Sequence, residues 1–194
     1  VRVTLLEEDL FGYLVQAVLR WDQREKVKIG ETGFNLSRLE TAPGKDRRVG
    51  YTTYSGLLDD SGPLPVGWRL RFITPTTFRT KGRAAPFPTQ NLVLGSLLRK
   101  WRALSPVRPP QGLEERLSDG VSVGGYNATM KPVRFGEFFE PGFTGWCHLL
   151  PRKSLARESR VWLGALTRFA YYSGVGAKTA MGMGQTTLVA QREI

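Results

Sequence analysis

The most regular pattern in the chain lies in its second part, where alternating apolar and charged residues give way to helical spacing. Residues 68–73 alternate apolar and basic side chains with a period of two, which predicts a strand with one covered face and one basic face. After the proline-rich stretch 86–88, apolar residues recur at helical spacing at Leu94, Leu97, Leu98, Trp101 and Leu104. Arg99 and Arg102 fall away from that stripe, so the pattern predicts an amphipathic helix.

Four further elements follow this helix. Residues 120–133 are predicted to be extended, and the pair Gly124 and Gly125 indicates a bulge or bend. Strands are also predicted at 142–150 and 185–190. Between them, residues 156–172 form a predicted helix whose apolar stripe consists of Trp162, Ala165, Leu166, Phe169 and Ala170. The opposite side of this helix is predicted to be a cationic face formed by Arg157, Arg160 and Arg168, which makes these three residues candidates for binding a polyanion.

The resulting order, β-α-β-β-α-β, is that of a ferredoxin-like or RRM-like module. In this architecture two helices cover one side of an antiparallel sheet. The first part of the chain matches only the last three elements of the order, with a strand at 2–6, a helix near 10–21 and a strand at 34–39 reached through Gly30 and Gly33. A sheet of so few strands cannot cover one side of the helix, so these three elements do not easily form a complete two-layer core by themselves. Because the chain also opens at Val1, this part is expected to need an upstream half or a docked neighbour.

The predicted fold class is therefore α+β, with tandem ferredoxin-like modules of which the first is incomplete. Turn-forming residues separate the two modules: Pro43, Gly44, Asp60, Gly62, Pro63 and Pro65. They place the boundary near residue 61. Residues 1–60 are predicted to be the remaining part of the first module with a linker, and residues 61–194 the second module.

The charge of the chain is concentrated in the second module. The formal net charge is +11; residues 1–60 hold nine basic and ten acidic side chains, whereas residues 61–194 hold 19 basic and seven acidic, a net of +12. This asymmetry favours a polyanion such as nucleic acid as the partner, with a solvated basic face as the alternative. No apolar run approaches the roughly 18 residues of a membrane span. The single cysteine, Cys147, allows no internal disulfide. From the lack of a predicted membrane span we expect no membrane partner, and from the lack of disulfides we expect a cytoplasmic location.

A glycine-rich segment lies between the last predicted helix and the last predicted strand. The candidate RNA-binding residues in it are Gly174, Gly176, Lys178, Thr179, Gly182, Gly184 and Gln185. Glycines allow positive φ, and successive exposed N–H groups form an anion-binding concavity; the alternative is a loop that needs glycines only to leave a helix and enter a strand. A P-loop needs glycine where Ala177 stands, and a dinucleotide fingerprint needs a small residue where Thr179 stands. No nucleotide cofactor is expected.

Other residue types that could carry chemistry give weaker patterns. Arg79, Lys81 and Arg83 lie in a predicted loop after the first strand of the second module, where they could clamp phosphates. His148 is the only histidine, and its apolar surroundings favour a packed residue over a catalyst. Adjacent Cys147 and His148 lack the second ligand pair of a metal site, so no metal is expected. Asp59 and Asp60 are interpreted as a solvated turn.

The sequence resembles the CRISPR-associated repeat-RNA endoribonucleases, part of the superfamily of repeat-associated proteins with ferredoxin-like modules. The resemblance rests on the glycine-rich segment 174–185, on residues 162–172 before it, and on 72–76 followed by the prolines at 86–88. Phe11 and Gly12, with Gly30 and Gly33, resemble the family's weaker loop at the end of its first module. Nearly the whole chain is covered.

The resemblance implies metal-independent cleavage of precursor CRISPR RNA. In this reaction a 2′-hydroxyl attacks the adjacent phosphate and leaves a 2′,3′-cyclic phosphate, which requires a base, an acid and nearby cations. The family often takes its acid/base histidine from the early helix region of the first module, which this chain does not contain. The implied partners are CRISPR repeat RNA and other CRISPR-associated subunits. The alternatives are a non-catalytic RNA-binding subunit of a CRISPR ribonucleoprotein and an unrelated ferredoxin-like domain that binds other RNA or protein.

Overall fold

The computed structural model describes residues 2–21, 26–29, 32–46, 49–59 and 61–191. The predictions made for Gly30 and Asp60 lie outside these ranges. The chain divides into two compact units, Val1–Thr52 and Thr53–Ile194. The division falls a little before residue 61 because the short helix at Tyr54–Leu57 packs on the last helix of the second unit.

The first unit contains one helix and one hairpin. Helix α1 spans Leu10–Leu19, and strands β1 (Val27–Ile29) and β2 (Thr32–Phe34) pair antiparallel. The strands predicted at 2–6 and 34–39 are wrong: within the described ranges, residues 2–6 form no strand and β2 ends at Phe34. An apolar pattern becomes a strand only where a neighbouring strand supplies hydrogen-bond partners. Helix α1 has no fully buried side chain.

The second unit holds most of the secondary structure. Its helices are α2 (Tyr54–Leu57), α3 (Gln90–Leu104), α4 (Leu113–Gly120) and α5 (Arg157–Ser173), and a short 3₁₀ turn covers Thr179–Met181. Its strands are β3 (Gly67–Thr76), β4 (Phe78–Thr80), β5 (Arg83–Ala85), β6 (Val121–Met130), β7 (Val133–Phe135), β8 (Phe138–Glu140), β9 (Phe143–Pro151) and β10 (Thr186–Gln191). None of the helices in the described ranges combines the length and apolar character that crossing a lipid bilayer demands.

Four of these strands form the antiparallel sheet of a ferredoxin-like module. Their order is β10-β3-β9-β6, and every neighbouring pair is antiparallel. The predicted bulge is confirmed, because the pairing of β6 with β9 shifts register between Val123 and Gly125. The predicted order β-α-β-β-α-β and the α+β class are therefore confirmed, with α3 and α5 as the two helices.

The core lies between one face of this sheet and the helices. Trp68, Leu70 and Phe72 alternate along β3 and are each at most 2% exposed, as the period of two predicts. The Trp101 ring lies edge-on to Trp162 at 5.3 Å between centroids, and its Nε1 donates to the Val107 carbonyl at 2.8 Å. Both tryptophans are buried, which confirms that these apolar stripes pack the core.

Additional elements lie at one end of the sheet, where β3 ends and β9 begins. The hairpins β4–β5 and β7–β8 lie in this region, as does the loop between α5 and β10. The sequence did not predict either hairpin, nor helix α4. These elements place side chains from three separate stretches of chain beside one another.

Candidate nucleic-acid interface

The glycine-rich loop, residues 174–185, folds back onto the end of β3. The N–H of Gly184 donates to the Pro75 carbonyl at 2.9 Å, and the N–H of Ala177 donates to the Thr77 carbonyl at 2.8 Å. Within the loop, the N–H of Val175 donates to the Gly184 carbonyl at 2.8 Å. These bonds close the loop and fix it to the strand that carries the basic sheet face.

The glycines allow the backbone segments to approach one another closely. Gly176 has a φ of +84°, and a Cβ at this position would lie 2.2 Å from the Thr77 carbonyl oxygen. Gly184 has a φ of +69°, and a Cβ there would lie 2.0 Å from the Val175 carbonyl oxygen. Both conditions exclude ordinary side chains. Gly174 has a φ of +63°, and a Cβ there would lie 2.9 Å from Thr179 Cγ2 and 3.0 Å from the Gly184 carbonyl oxygen.

Most N–H groups of the loop are used within the protein. The N–H of Gly176 donates to Ser96 Oγ at 3.2 Å, and that of Gln185 donates to Thr74 Oγ1 at 2.9 Å. Of the successive N–H groups that the glycines were predicted to expose, those of Gly176 and Gln185 are therefore already bonded within the protein. Within the loop, all of which the structure describes, the N–H groups of Lys178, Thr179 and Ala180 make no hydrogen bond to the protein. These three residues form the tip of the loop.

Lys178 does not extend freely into solvent. Its side chain is 23% exposed, its Nζ lies 3.6 Å from Glu140 Oε2, and the Phe135 and Phe138 ring centroids are 4.8 and 5.0 Å from Nζ. Lys178 is therefore mostly buried and packs against a carboxylate and two aromatic rings. Its backbone has a φ of +56°, an uncommon conformation for a residue with a side chain.

Arg79 reaches the same carboxylate from β4. Its guanidinium nitrogen lies 2.5 Å from Glu140 Oε2, and its side chain is 44% exposed. Two of the predicted RNA-binding cations, Arg79 and Lys178, are thus brought together by a glutamate that is 4% exposed. Sequence reasoning did not select Glu140, because nothing in its local pattern links it to residues 61 and 38 positions away.

Lys100 supports the loop from α3. Its Nζ donates to the carbonyls of Ser173 and Gly174 at 3.1 and 3.0 Å and to Thr179 Oγ1 at 3.2 Å. Burial, and secondarily the nearby Arg99 charge, lower the pKa of Lys100 to about 8. This role could not be predicted from the sequence, since Lys100 stands among other basic residues on an amphipathic helix.

The remaining predicted cations fall into two groups. Lys81 and Arg83 are exposed at the turn of hairpin β4–β5, where Lys81 has a φ of +49°, and Arg157 is exposed at the start of α5. Arg160 donates to the Pro65 carbonyl at 3.4 Å, and Arg168 donates to the Leu57 carbonyl. Arg160 and Arg168 are half-buried against the segment before β3, so Arg157 is the exposed one of the three cations predicted on α5. Gly182 is open to solvent, with nothing within 4 Å of an added Cβ.

His148 is far from the loop along the sheet. It lies opposite Arg69 on β3, and six residues separate Arg69 from Pro75, about 20 Å at roughly 3.3 Å per residue. Its Nε2 is buried and finds no hydrogen-bond partner among the described residues. Burial, followed by the Arg69 charge, lowers the pKa of His148. This histidine lies beside Arg69 and is therefore remote from Arg79 and Lys178, the cations near the tip of the loop.

Asp59 and Cys147, the two other residues considered for chemistry, are also held by local structural contacts. Asp59 accepts hydrogen bonds from the N–H and hydroxyl of Ser61 at 3.0 and 3.1 Å, which together lower the pKa of the carboxyl. Cys147 is buried, and burial raises the pKa of its thiol to about 12. Within the described ranges, no group of three His, Cys, Asp or Glu side chains is arranged as a metal site.

The curated proteins that resemble this chain in sequence include CRISPR-associated endoribonucleases from two organisms. Among curated proteins, the CRISPR-associated endoribonuclease Cas6 of Mycobacterium tuberculosis (strain CDC 1551 / Oshkosh) is 32% identical over 118 residues, which are 60% of this chain and 37% of that protein. The Cas6 of Streptococcus thermophilus is 28% identical over 124 residues, 63% of this chain and 50% of that protein. The chain thus matches between about a third and a half of the length of these curated relatives.

Solved structures show the same relationship. A Cas6 product complex is 34% identical, with a TM-score of 0.84 over 96% of this chain and 75% of that one. Thermus thermophilus Cas6 is 31% identical, with a TM-score of 0.77 over 94% of this chain and 71% of that one. The family model for the CRISPR-associated endoribonuclease Cas6 matches residues 70–186, more than half of the chain. The chain therefore belongs to the CRISPR-associated endoribonuclease Cas6 family.

Proposed function

We propose that this chain binds CRISPR repeat RNA and acts in the cleavage of precursor CRISPR RNA without a metal ion. The observation that carries the proposal is the Cas6 family match over residues 70–186, which contains β6, β9, most of β3 and the whole loop tip. Two similar Cas6 structures are a product complex and a substrate mimic complex, each 34% identical to this chain. Repeat RNA is a polyanion, which is the class of partner that the basic composition favours.

The charge of the second unit supports an RNA partner. Thr53–Ile194 contains 19 basic and nine acidic side chains, a net of +10. Lys178 and Arg79 lie beside the loop tip, and Lys81 and Arg83 are exposed on the neighbouring hairpin. Cations and free N–H groups that converge in this way bind phosphate oxygens whatever the base sequence. The loop end of the sheet is therefore the proposed RNA-backbone site.

The proposed reaction transfers the phosphate within the RNA itself. The 2′-hydroxyl oxygen forms a bond to the adjacent phosphorus while the bond to the 5′-oxygen of the next nucleotide breaks, giving a 2′,3′-cyclic phosphate and a free 5′-hydroxyl. A base takes the proton of the 2′-hydroxyl, and an acid protonates the leaving oxygen. Lys178 and Arg79 would stabilise the charge that develops on the non-bridging oxygens.

A second function is favoured by the position of His148. The only histidine of the chain pairs with Arg69, which lies six positions along β3 from Pro75, where Gly184 of the loop bonds, a span of about 20 Å at roughly 3.3 Å per residue. A chain whose proposed phosphate-binding cations lie near the loop tip, away from its histidine, fits a non-catalytic RNA-binding subunit of a CRISPR ribonucleoprotein, with other CRISPR-associated subunits as partners. A cytoplasmic location belongs to both proposals and agrees with the free thiol of Cys147.

Cleavage of repeat RNA in the presence of a chelator separates these functions. The protein in excess is mixed with end-labelled repeat RNA and EDTA, and binding and cleavage are measured on the same samples. Cleavage to a cyclic phosphate supports the endoribonuclease, whereas binding without cleavage supports the subunit. A repeat RNA with a 2′-deoxy sugar at the cleavage site is the control, since it should bind equally but remain intact. Absence of binding would contradict both functions.

A further inference from the structure

Glu140 is a buried carboxylate held between cations from two other parts of the chain. Its side chain is 4% exposed, and its Oε2 lies 2.5 Å from an Arg79 nitrogen and 3.6 Å from Lys178 Nζ. The three residues belong to hairpin β7–β8, hairpin β4–β5 and the glycine-rich loop. We refer to Arg79, Glu140 and Lys178 as the charge cluster.

Stability alone does not account for a carboxylate at this place. Burying an ionised group is costly, and well-packed apolar residues often replace buried ion pairs without loss of stability. Glu140 Oε1 is buried and has no hydrogen-bond partner among the described residues, so the group is not fully satisfied in the free protein. A charge retained at such a cost points to a role in ordering the two cations.

The geometry of the charge cluster shows what that role is. Both nitrogens contact the same oxygen, so they are at most 6.1 Å apart, the sum of the two distances. Two like charges this close repel each other unless an anion lies between them. The Phe135 and Phe138 rings also contact the Lys178 ammonium, with centroids at 4.8 and 5.0 Å. Arg79 keeps 44% of its side chain exposed and can still reach a ligand.

We propose that Glu140 is a positioning residue that holds Lys178 and Arg79 together as one site for the RNA backbone. This inference rests on the proposed function. The carboxylate lies beneath the pair and neutralises one of the two charges, which leaves one positive charge for a phosphate. It also ties the glycine-rich loop to both hairpins, so RNA meets a site whose cations are already in place.

The test compares Glu140→Gln with Glu137→Gln in the intact protein. Glu137 is exposed on the same hairpin, so the two variants gain the same charge, but only the first disrupts the charge cluster. Repeat-RNA affinity is measured for both variants, for Lys178→Ala and for the double variant Glu140→Gln/Lys178→Ala. Reaction of Lys178 with an amine-acylating reagent, followed by mass spectrometry, reports its position without RNA.

The proposal makes a distinct prediction for each variant. Glu140→Gln weakens RNA affinity by about fivefold relative to Glu137→Gln, and Lys178→Ala adds less than about twofold to it, because the two residues act as a unit. Lys178 is acylated faster in Glu140→Gln but not in Glu137→Gln. Thermal unfolding checks that each variant is folded. If Glu140→Gln is not, Glu140→Asp takes its place and should show the same changes to a smaller degree.

Two results would overturn the proposal and can be told apart from failure of the proposed function. If wild type binds RNA and Lys178→Ala weakens binding, equal affinities of Glu140→Gln and Glu137→Gln show that Glu140 does not position the cations. If the losses of RNA affinity in Glu140→Gln and Lys178→Ala multiply in the double variant, the two residues act independently, which also shows that Glu140 does not position the cations. If wild type does not bind repeat RNA at all, the proposed function fails and the RNA role of Glu140 fails with it. The acylation rates then show only whether Glu140 holds Lys178.

Discussion

Replacement of Gly176 by alanine tests whether the glycine-rich loop depends on close backbone approach. Gly176 has a φ of +84°, and its added Cβ would lie 2.2 Å from the Thr77 carbonyl oxygen. That oxygen accepts the N–H of Ala177 at 2.8 Å, so relief of the clash moves the acceptor of a bond that fixes the loop. Gly182→Ala is the matched control, because its φ is +87° but an added Cβ meets nothing within 4 Å.

The expected difference follows from two separate costs. Both alanines would adopt a left-handed conformation, which costs about 1–2 kcal/mol. Only Gly176→Ala also displaces the Thr77 carbonyl, and the hydrogen bond that this loses is worth about 1 kcal/mol, or up to about 3 if a buried group is left unpaired. The free energy of unfolding should therefore fall by about 1–2 kcal/mol in Gly182→Ala and by about 2–5 kcal/mol in Gly176→Ala.

Urea unfolding followed by tryptophan fluorescence measures this difference. Trp68, Trp101 and Trp162 are buried in the second unit, so the signal reports the unit that contains the loop. Equal losses of stability in the two variants would refute the reasoning, because backbone strain alone would then explain both. A smaller loss in Gly176→Ala than in Gly182→Ala would refute it as well.

Three further predictions concern single side chains. The pKa of Lys100 is about 8, below its ordinary 10.5. Between these two pH values the unfolded chain binds more protons than the folded chain, so the free energy of unfolding should rise with pH. Urea titrations at pH 7.5, 9 and 10 should show this rise in the wild type but not in Lys100→Met. Lys178→Ala should reduce the RNA salt slope by about 0.7 and, because it leaves Glu140 with one cation, lower Tm by about 2–4 °C; an unchanged slope would remove Lys178 from the interface. His148→Gln should leave single-turnover cleavage of repeat RNA within about tenfold, and a loss of 10²–10⁴-fold in a folded variant would make His148 catalytic.

The sequence was most informative where a long segment carried a single period. The alternation through residues 68–73 predicted the sheet strand that spans Gly67–Thr76, and the apolar stripe at 156–172 predicted the helix at Arg157–Ser173. Each segment has enough residues for its period to be distinct. Hairpins β4–β5 and β7–β8 were missed because strands of three residues are too short to show a period.

The site was predicted in part, for a related reason. Glycines and a lysine at 174–185 drew attention to the loop because such a composition is unusual within a short stretch. The partners of that loop lie far away in sequence: Glu140 is 38 residues from Lys178, and Lys100 is 79 residues from Thr179. Nothing local distinguishes this glutamate or this lysine from others of its type. Only the fold shows that both side chains contact the glycine-rich loop, Glu140 at Lys178 and Lys100 at Thr179.

Binding of repeat RNA across a series of salt concentrations tests the central claim most directly. The protein is titrated with repeat RNA in buffers from about 0.05 to 0.5 M salt, and the logarithm of the binding constant is plotted against that of salt. With a net charge of +10 in the second unit, a straight line with a slope of about −0.7 for each phosphate contact is expected, and several contacts should be counted. Affinity that does not change with salt, or no binding at the lowest salt concentration, would contradict the account.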